Sequence, residues 1–304
     1  MENKLENKRI LIFLFFAFGI AWVVALIIYL TGGLANSPVL VPGIPFTLAL
    51  LLAVTGYMWA PALAHIITRL ISREGWGNVL LRPYFKHWPY WIAAWFVPPL
   101  VTILGTILFF TIFPNYYDPS LKRILEMLAM NWAYPIDVRK LILIQTAVGI
   151  LVAPLLNGPA TFGEEFGWRG YLQPKLMPLG GRKALVIIGI IWGVWHWPMI
   201  AMGHNYGLDY PGAPWLGMLM MVWFTLILGI FLGWVTIRSR CVWPAVIGHG
   251  AINGIANLGS IFVQGSPNPL LGPLPIGLIG SLPMALLALA ILLIPGAHNP
   301  ENIS

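Results

Sequence analysis

Cysteine is nearly missing from this sequence: Cys241 stands alone in 304 residues, so no intrachain disulfide can form. Acid is scarce as well, with ten Asp and Glu in all. Charged residues make up 9% of the chain and hydrophobic ones 59%, whereas a soluble domain carries roughly 25% charge. That balance excludes an ordinary soluble domain and defines an integral membrane protein. One all-α, polytopic domain over 1–304 accounts for the length. A cleavable leader pattern is lacking: the first apolar run, Ile10 to Leu30, has no small-residue cleavage pattern after it and reads as a retained helix. No repeat or low-complexity tract is present. The net charge of +7 needs no nucleic-acid partner, because Lys and Arg set topology in a membrane protein.

Eight apolar runs are candidates to cross a bilayer, at roughly 10–30, 46–70, 88–113, 141–157, 184–202, 215–237, 242–263 and 276–294. With the N-terminus in the cytoplasm, the inner side holds Lys4, Lys8, Arg9, Arg69, Arg73, Arg82, Lys86, Arg169, Lys175, Arg182, Lys183, Arg238 and Arg240. Only Lys122, Arg123, Arg139 and Lys140 fall outside, all in one loop. This asymmetry follows the positive-inside rule and predicts eight spans with both termini cytoplasmic. The outer loop contains an amphipathic stretch around Leu121, Ile124, Leu125 and Leu128, read as an interfacial helix. Short cytoplasmic ends without added domains suit a prokaryotic cell membrane.

Against this apolar background three polar clusters stand out. They are Glu164-Glu165 with Arg169, His196 within Trp192-Gly-Val-Trp-His-Trp-Pro198, and His249 with Asn253. Ionisable groups at membrane depth are expensive and mark functional sites by default. Helical spacing divides the glutamates. Glu165 and Arg169 are four apart, on one face and in the favoured ion-pair orientation. Glu164 and Arg169 are five apart and point away from each other. An ion-paired carboxylate is a poor base, so Glu165 is assigned to structure and Glu164 to proton transfer.

Plainer roles exist for each cluster. Thr161-Phe-Gly-Glu164 matches a capping box, which would make Glu164 a helix-start residue. His196 among tryptophans can be a packing residue, and His249 with Asn253 can tie helices together by hydrogen bonds. Co-occurrence on three helices favours a joint site. His65 is read as structural.

A carboxylate and a histidine can hold and deprotonate a water, while a histidine and an amide can donate to an oxyanion. There is no Gly-x-Ser-x-Gly elbow, and Cys241 has no base at helical spacing. A His-Glu-x-x-His motif and its inverse are also missing. Glu164, His196 and His249 could still form a two-histidine, one-carboxylate zinc site across helices, so a zinc metalloprotease stands as an alternative, as does a non-enzymatic scaffold or immunity protein. A transporter fits less well, since no paired broken helices occur in matching halves.

Glu164-Glu165-x-x-x-Arg169, then Trp192-x-x-x-His196, then His249-x-x-x-Asn253 resembles the CAAX-protease and bacteriocin-processing family of intramembrane endopeptidases. The resemblance covers roughly 140–265, the expected catalytic core, and the first three spans add nothing to it. It implies a glutamate-dependent peptidase without cofactor. Glu164 would be the general base, His196 would share the water, and His249 with Asn253 would form the oxyanion hole. Glu165 and Arg169 would hold the geometry. Trp192 replaces the more usual phenylalanine, and is expected to change only a packing neighbour. The implied partners are a peptide or protein substrate, free, lipidated or membrane-bound, together with membrane lipids. The expected location is a multi-pass position in the membrane, with the site opening toward the cytoplasm.

Overall fold

The computed structural model describes residues 2–122, 124–126 and 137–298. Leu128 of the expected interfacial helix lies outside them. Among the described residues there is no strand, only two isolated bridges, Val39 with Thr47 and Tyr117 with Val263. The helices are α1 (Glu2–Leu30), α2 (Leu48–Leu52), α3 (Ala60–Ser72), α4 (Trp88–Ile112), α5 (Val138–Leu151), α6 (Ala153–Leu156) and α7 (Gly158–Gly167). They continue as α8 (Gln173–Leu176), α9 (Gly181–Trp195), α10 (Trp197–Ala201), α11 (Trp215–Ser239), α12 (Trp243–Ile255) and α13 (Leu282–Leu293). The protein is an all-α, multi-pass membrane protein.

Five helical runs are long and apolar enough to span a bilayer: Leu5–Leu30, Leu48–Ser72, Phe85–Ile112, Trp215–Ser239 and Trp243–Phe262. The other three expected spans are shorter or broken helices. The run at 141–157 divides into α5 and α6 just before Pro154. The run at 184–202 divides at His196, two residues before Pro198, and 276–294 contains only the twelve-residue α13. Proline restricts the residue before it and cannot donate to the preceding turn, so each break has a local cause.

Helix polarity gives the molecule two distinct ends. At one end α1, the segment after α3, and α8 meet in an ion-pair cluster. Lys175 Nζ lies 2.7 Å from Glu6 and 2.8 Å from Glu74, and Arg9 Nε lies 3.6 Å from Glu74. At the same end Arg238 of α11 donates to Tyr90 of α4 at 2.9 Å. The opposite end carries the C-termini of α1, α4, α10 and α12 and the N-termini of α2 and α11; there Asp118 N donates to the Phe262 carbonyl at 2.8 Å.

Close helix contact places the glutamate-bearing α7. A Cβ on Gly167 would lie 2.4 Å from Pro61 Cβ and 2.5 Å from the Pro61 carbonyl, so only glycine lets α7 sit against α3. Gly167→Ala is expected to lower stability by about 1–3 kcal/mol through overpacking, read as a lower unfolding midpoint in detergent.

Candidate active site

Helix α7 starts at Gly158 with Pro159 in its first turn, so Thr161 sits inside it and caps nothing. Its hydroxyl donates across to the Val246 carbonyl at 3.0 Å and ties α7 to α12. Glu164 therefore does not close a capping box. It is 2% exposed and Glu165 is 0% exposed. The two carboxylates meet different surroundings. Glu165 takes Arg169 Nη1 at 2.9–3.0 Å and His249 Nδ1 at 2.9 Å. Glu164 Oε2 accepts from Trp192 Nε1 at 2.7 Å. The i,i+4 pairing of Glu165 with Arg169 is the one that helical spacing requires, and both partners are fully buried.

The hydrogen bonds fix the ring tautomers of the histidines. His196 Nδ1 lies 2.7 Å from the Trp192 carbonyl. A carbonyl only accepts, so Nδ1 carries the proton, and in the neutral ring Nε2 keeps a lone pair. His249 is turned by the Glu165 carboxylate in the same way, which leaves its Nε2 for another partner.

Glu164, His196, His249 and Asn253 line one cavity of about 330 Å³. Glu165 and Arg169 do not line it. Three helices thus deliver one carboxylate, two imidazoles and one amide to a shared space, while the second carboxylate works behind them as a clamp.

Several lining residues carry no signal in the motifs. Tyr57, His204, Asn205 and Asn257 border the same cavity. Tyr57 lies in the second apolar run, which the motif-bearing segment does not include. Its hydroxyl donates to the Trp195 carbonyl at 2.5 Å, and its ring packs on Trp195 with centroids 4.3 Å apart. A tyrosine inside an apolar run was the available clue. Trp192 corrects a second expectation. It does more than pack: its indole donates to Glu164, and Arg169 sits over its ring at 4.5 Å. His65 has a polar companion: Arg69, four residues on, donates from Nε to His65 Nε2 at 2.6 Å. Its Nδ1 donates to the Phe166 carbonyl at 3.0 Å, so His65 braces α7 from outside the cavity.

The cavity mouth is formed by Leu50 and Val54 near the α2 start, His204 and Asn205 after α10, and Asn257 after α12. All of these belong to the end away from the Lys175–Glu6–Glu74 cluster. Toward the basic end the site is closed by Trp168, Arg169, Tyr171 and Leu172, each 0–1% exposed, and by Gln173, which donates to the Gly233 carbonyl at 3.0 Å. The cavity therefore opens away from the Lys175–Glu6–Glu74 cluster.

Comparison with known proteins now bears on this geometry. Residues 139–255 match the model of the type II CAAX prenyl endopeptidase family, described as Rce1-like. The match contains Glu164, Glu165, Arg169, Trp192, His196, His249 and Asn253. This segment is similar to the CAAX endopeptidase family. The chain is also similar to the CAAX prenyl protease 2 of Methanococcus maripaludis, 34% identical over 102 residues. That alignment covers 33% of this chain and 37% of the relative, so the chain spans little more than a third of the relative's length. Helices α1 to α4 lie outside the CAAX-family segment, yet α2 and Tyr57 close one wall of its cavity.

Metal-ligating geometry was a separate expectation. Among the described residues no three His, Cys, Asp or Glu side chains are grouped so as to hold a metal ion. Glu164 Oε2 is engaged by Trp192, His196 Nδ1 by a carbonyl and His249 Nδ1 by Glu165, which leaves the two Nε2 atoms facing other partners.

Proposed function

We propose that the chain is an intramembrane endopeptidase that hydrolyses a peptide bond in a membrane-associated polypeptide, by a glutamate-dependent route without a covalent intermediate. The observation that carries this reading is the meeting of Glu164, His196, His249 and Asn253 on one cavity, with Glu165 held out of it by Arg169. Water between Glu164 and His196 Nε2 loses a proton to the carboxylate as its oxygen attacks the scissile carbonyl. His249, carrying a proton on each ring nitrogen with Nδ1–H held by Glu165, donates from Nε2–H to the developing oxyanion together with the Asn253 amide. The protonated Glu164 then delivers its proton to the leaving amine. The relative's name and the apolar cavity wall support a substrate that is lipidated or embedded in the membrane, and a prokaryotic cell membrane as the location. The purified protein in lipid is expected to cleave a pool of membrane-associated peptides at a rate unchanged by chelation. Loss of cleavage on chelation with recovery on added zinc would establish the metalloprotease alternative, and no cleavage of any pool would favour a scaffold.

Trp192→Phe tests the tuning of the base. The phenyl ring keeps a face for Arg169 but removes the N–H that stabilises the Glu164 carboxylate. The loss of one charge-assisted hydrogen bond of about 1.5 kcal/mol is expected to lower kcat/KM about tenfold. An unchanged kcat/KM would give Trp192 a packing role only.

A further inference from the structure

We infer that the cavity admits its substrate from the non-cytoplasmic face, so that the polypeptides it cuts present the scissile bond on the far side of the membrane from the ribosome. The inference rests on the peptidase reading for the nature of the ligand, and on two independent observations for its direction. The first is charge. Lys8, Arg9, Arg69, Arg73, Arg82, Lys86, Lys175, Arg182, Lys183, Arg238 and Arg240 all belong to helix ends or loops at the end where Lys175 meets Glu6 and Glu74. Loops rich in Lys and Arg stay in the cytoplasm. The second is packing. The cavity floor is Glu164 with Trp192, and Trp192 stands eleven residues into α9 from the basic end. At about 1.5 Å per residue the floor is roughly 16 Å from that end, near the middle of a hydrocarbon core about 30 Å thick.

Directly below the floor the next layer is filled. Trp168 stacks edge-on against Trp195 at 5.9 Å and against Phe13 at 5.6 Å, and the Glu165–Arg169 pair lies fully buried beside them. Above the floor the space widens between α2, the loop after α10 and the end of α12. Leu50 is 46% exposed there, and Asn205 and Asn257 are exposed. No Lys or Arg borders this mouth. Its wall is Leu50, Val54, Met199, Met221, Phe224 and Ile252, which suits an extended apolar segment. A chain segment that has crossed or been anchored in the membrane meets those conditions, whereas a cytoplasmic one would have to pass the packed layer.

Cysteine accessibility reads the direction without any need for catalysis, so it stands or falls apart from the peptidase reading. Cys241 is 0% exposed and serves as a silent background. Leu50→Cys and Asn257→Cys report the mouth, and Lys183→Cys reports the basic end. With a membrane-impermeant maleimide on intact cells, the two mouth variants are expected to label and Lys183→Cys to label only after permeabilisation. Labelling of Lys183→Cys in intact cells, or protection of both mouth variants until permeabilisation, would overturn the inference. So would mouth variants that stay unlabelled in permeabilised cells, since the cavity would then be open to neither face.

Discussion

Glu164→Gln should fold as the wild type does and lose about 10²–10⁴-fold in kcat/KM, the range for removing a general base. The amide keeps the size of the carboxylate, and its oxygen can still accept from Trp192 Nε1, now at 2.7 Å. Among the described residues Glu164 makes no salt bridge, and Arg169 is already ion-paired with Glu165. Removing a buried charge that has no ion-pair partner spares its desolvation cost, so the unfolding midpoint should hold or rise. Peptide cleavage and thermal unfolding measured on one preparation separate the two effects. Wild-type turnover in a folded Glu164→Gln protein would remove the base from the account.

Glu165→Gln should behave in the opposite way. Arg169 is 0% exposed and its only ion-pair partner is Glu165 among the described residues. Its Nε and Nη2 make no hydrogen bond and lie against the Trp192 ring side. Neutralising Glu165 leaves a buried guanidinium uncompensated, a loss of about 3–5 kcal/mol. That is a large share of a typical folding free energy of about 5–15 kcal/mol. The same change releases His249 from the acceptor that sets its ring, so activity should fall with stability. Glu165→Gln combined with Arg169→Met removes both charges and should recover much of the stability, but little of the activity. A double-mutant cycle on unfolding free energy then gives the coupling of the pair. Independent effects of the two substitutions would contradict the clamp. In the proposed mechanism the adjacent glutamates thus carry separable tasks, one measured by rate and the other by unfolding.

The separation was legible in the sequence because an α-helix brings residues four apart together, and Arg169 lies four after Glu165. The meeting of three motifs was also legible, since each combined rare polar residues with helical spacing in apolar surroundings. The span count was less so. Hydropathy registers 141–157 and 184–202 as continuous, but Pro154 and Pro198 interrupt the backbone that hydropathy does not see. Trp192 reads as bulk in a linear pattern; its indole N–H acquires a role only when α9 packs beside α7. Tyr57 was hidden because the motif-bearing segment excludes α2, and contact across 138 residues of sequence leaves no local periodicity. Which end of the bundle is open has no signature in composition at all. It depends on where Trp168, Tyr171 and Gln173 fill space and where α2 and α12 diverge.

Water activated by Glu164 is the centre of the account, and oxygen transfer in a first turnover tests it most directly. Enzyme in excess over a single peptide substrate is run in ¹⁸O-water, and product and enzyme are weighed by mass spectrometry. General-base attack puts one ¹⁸O in the new C-terminal carboxylate of every product molecule and none in Glu164. Product that carries only ordinary oxygen, with ¹⁸O appearing in Glu164, would mean that the carboxylate itself attacks the peptide and would contradict the account.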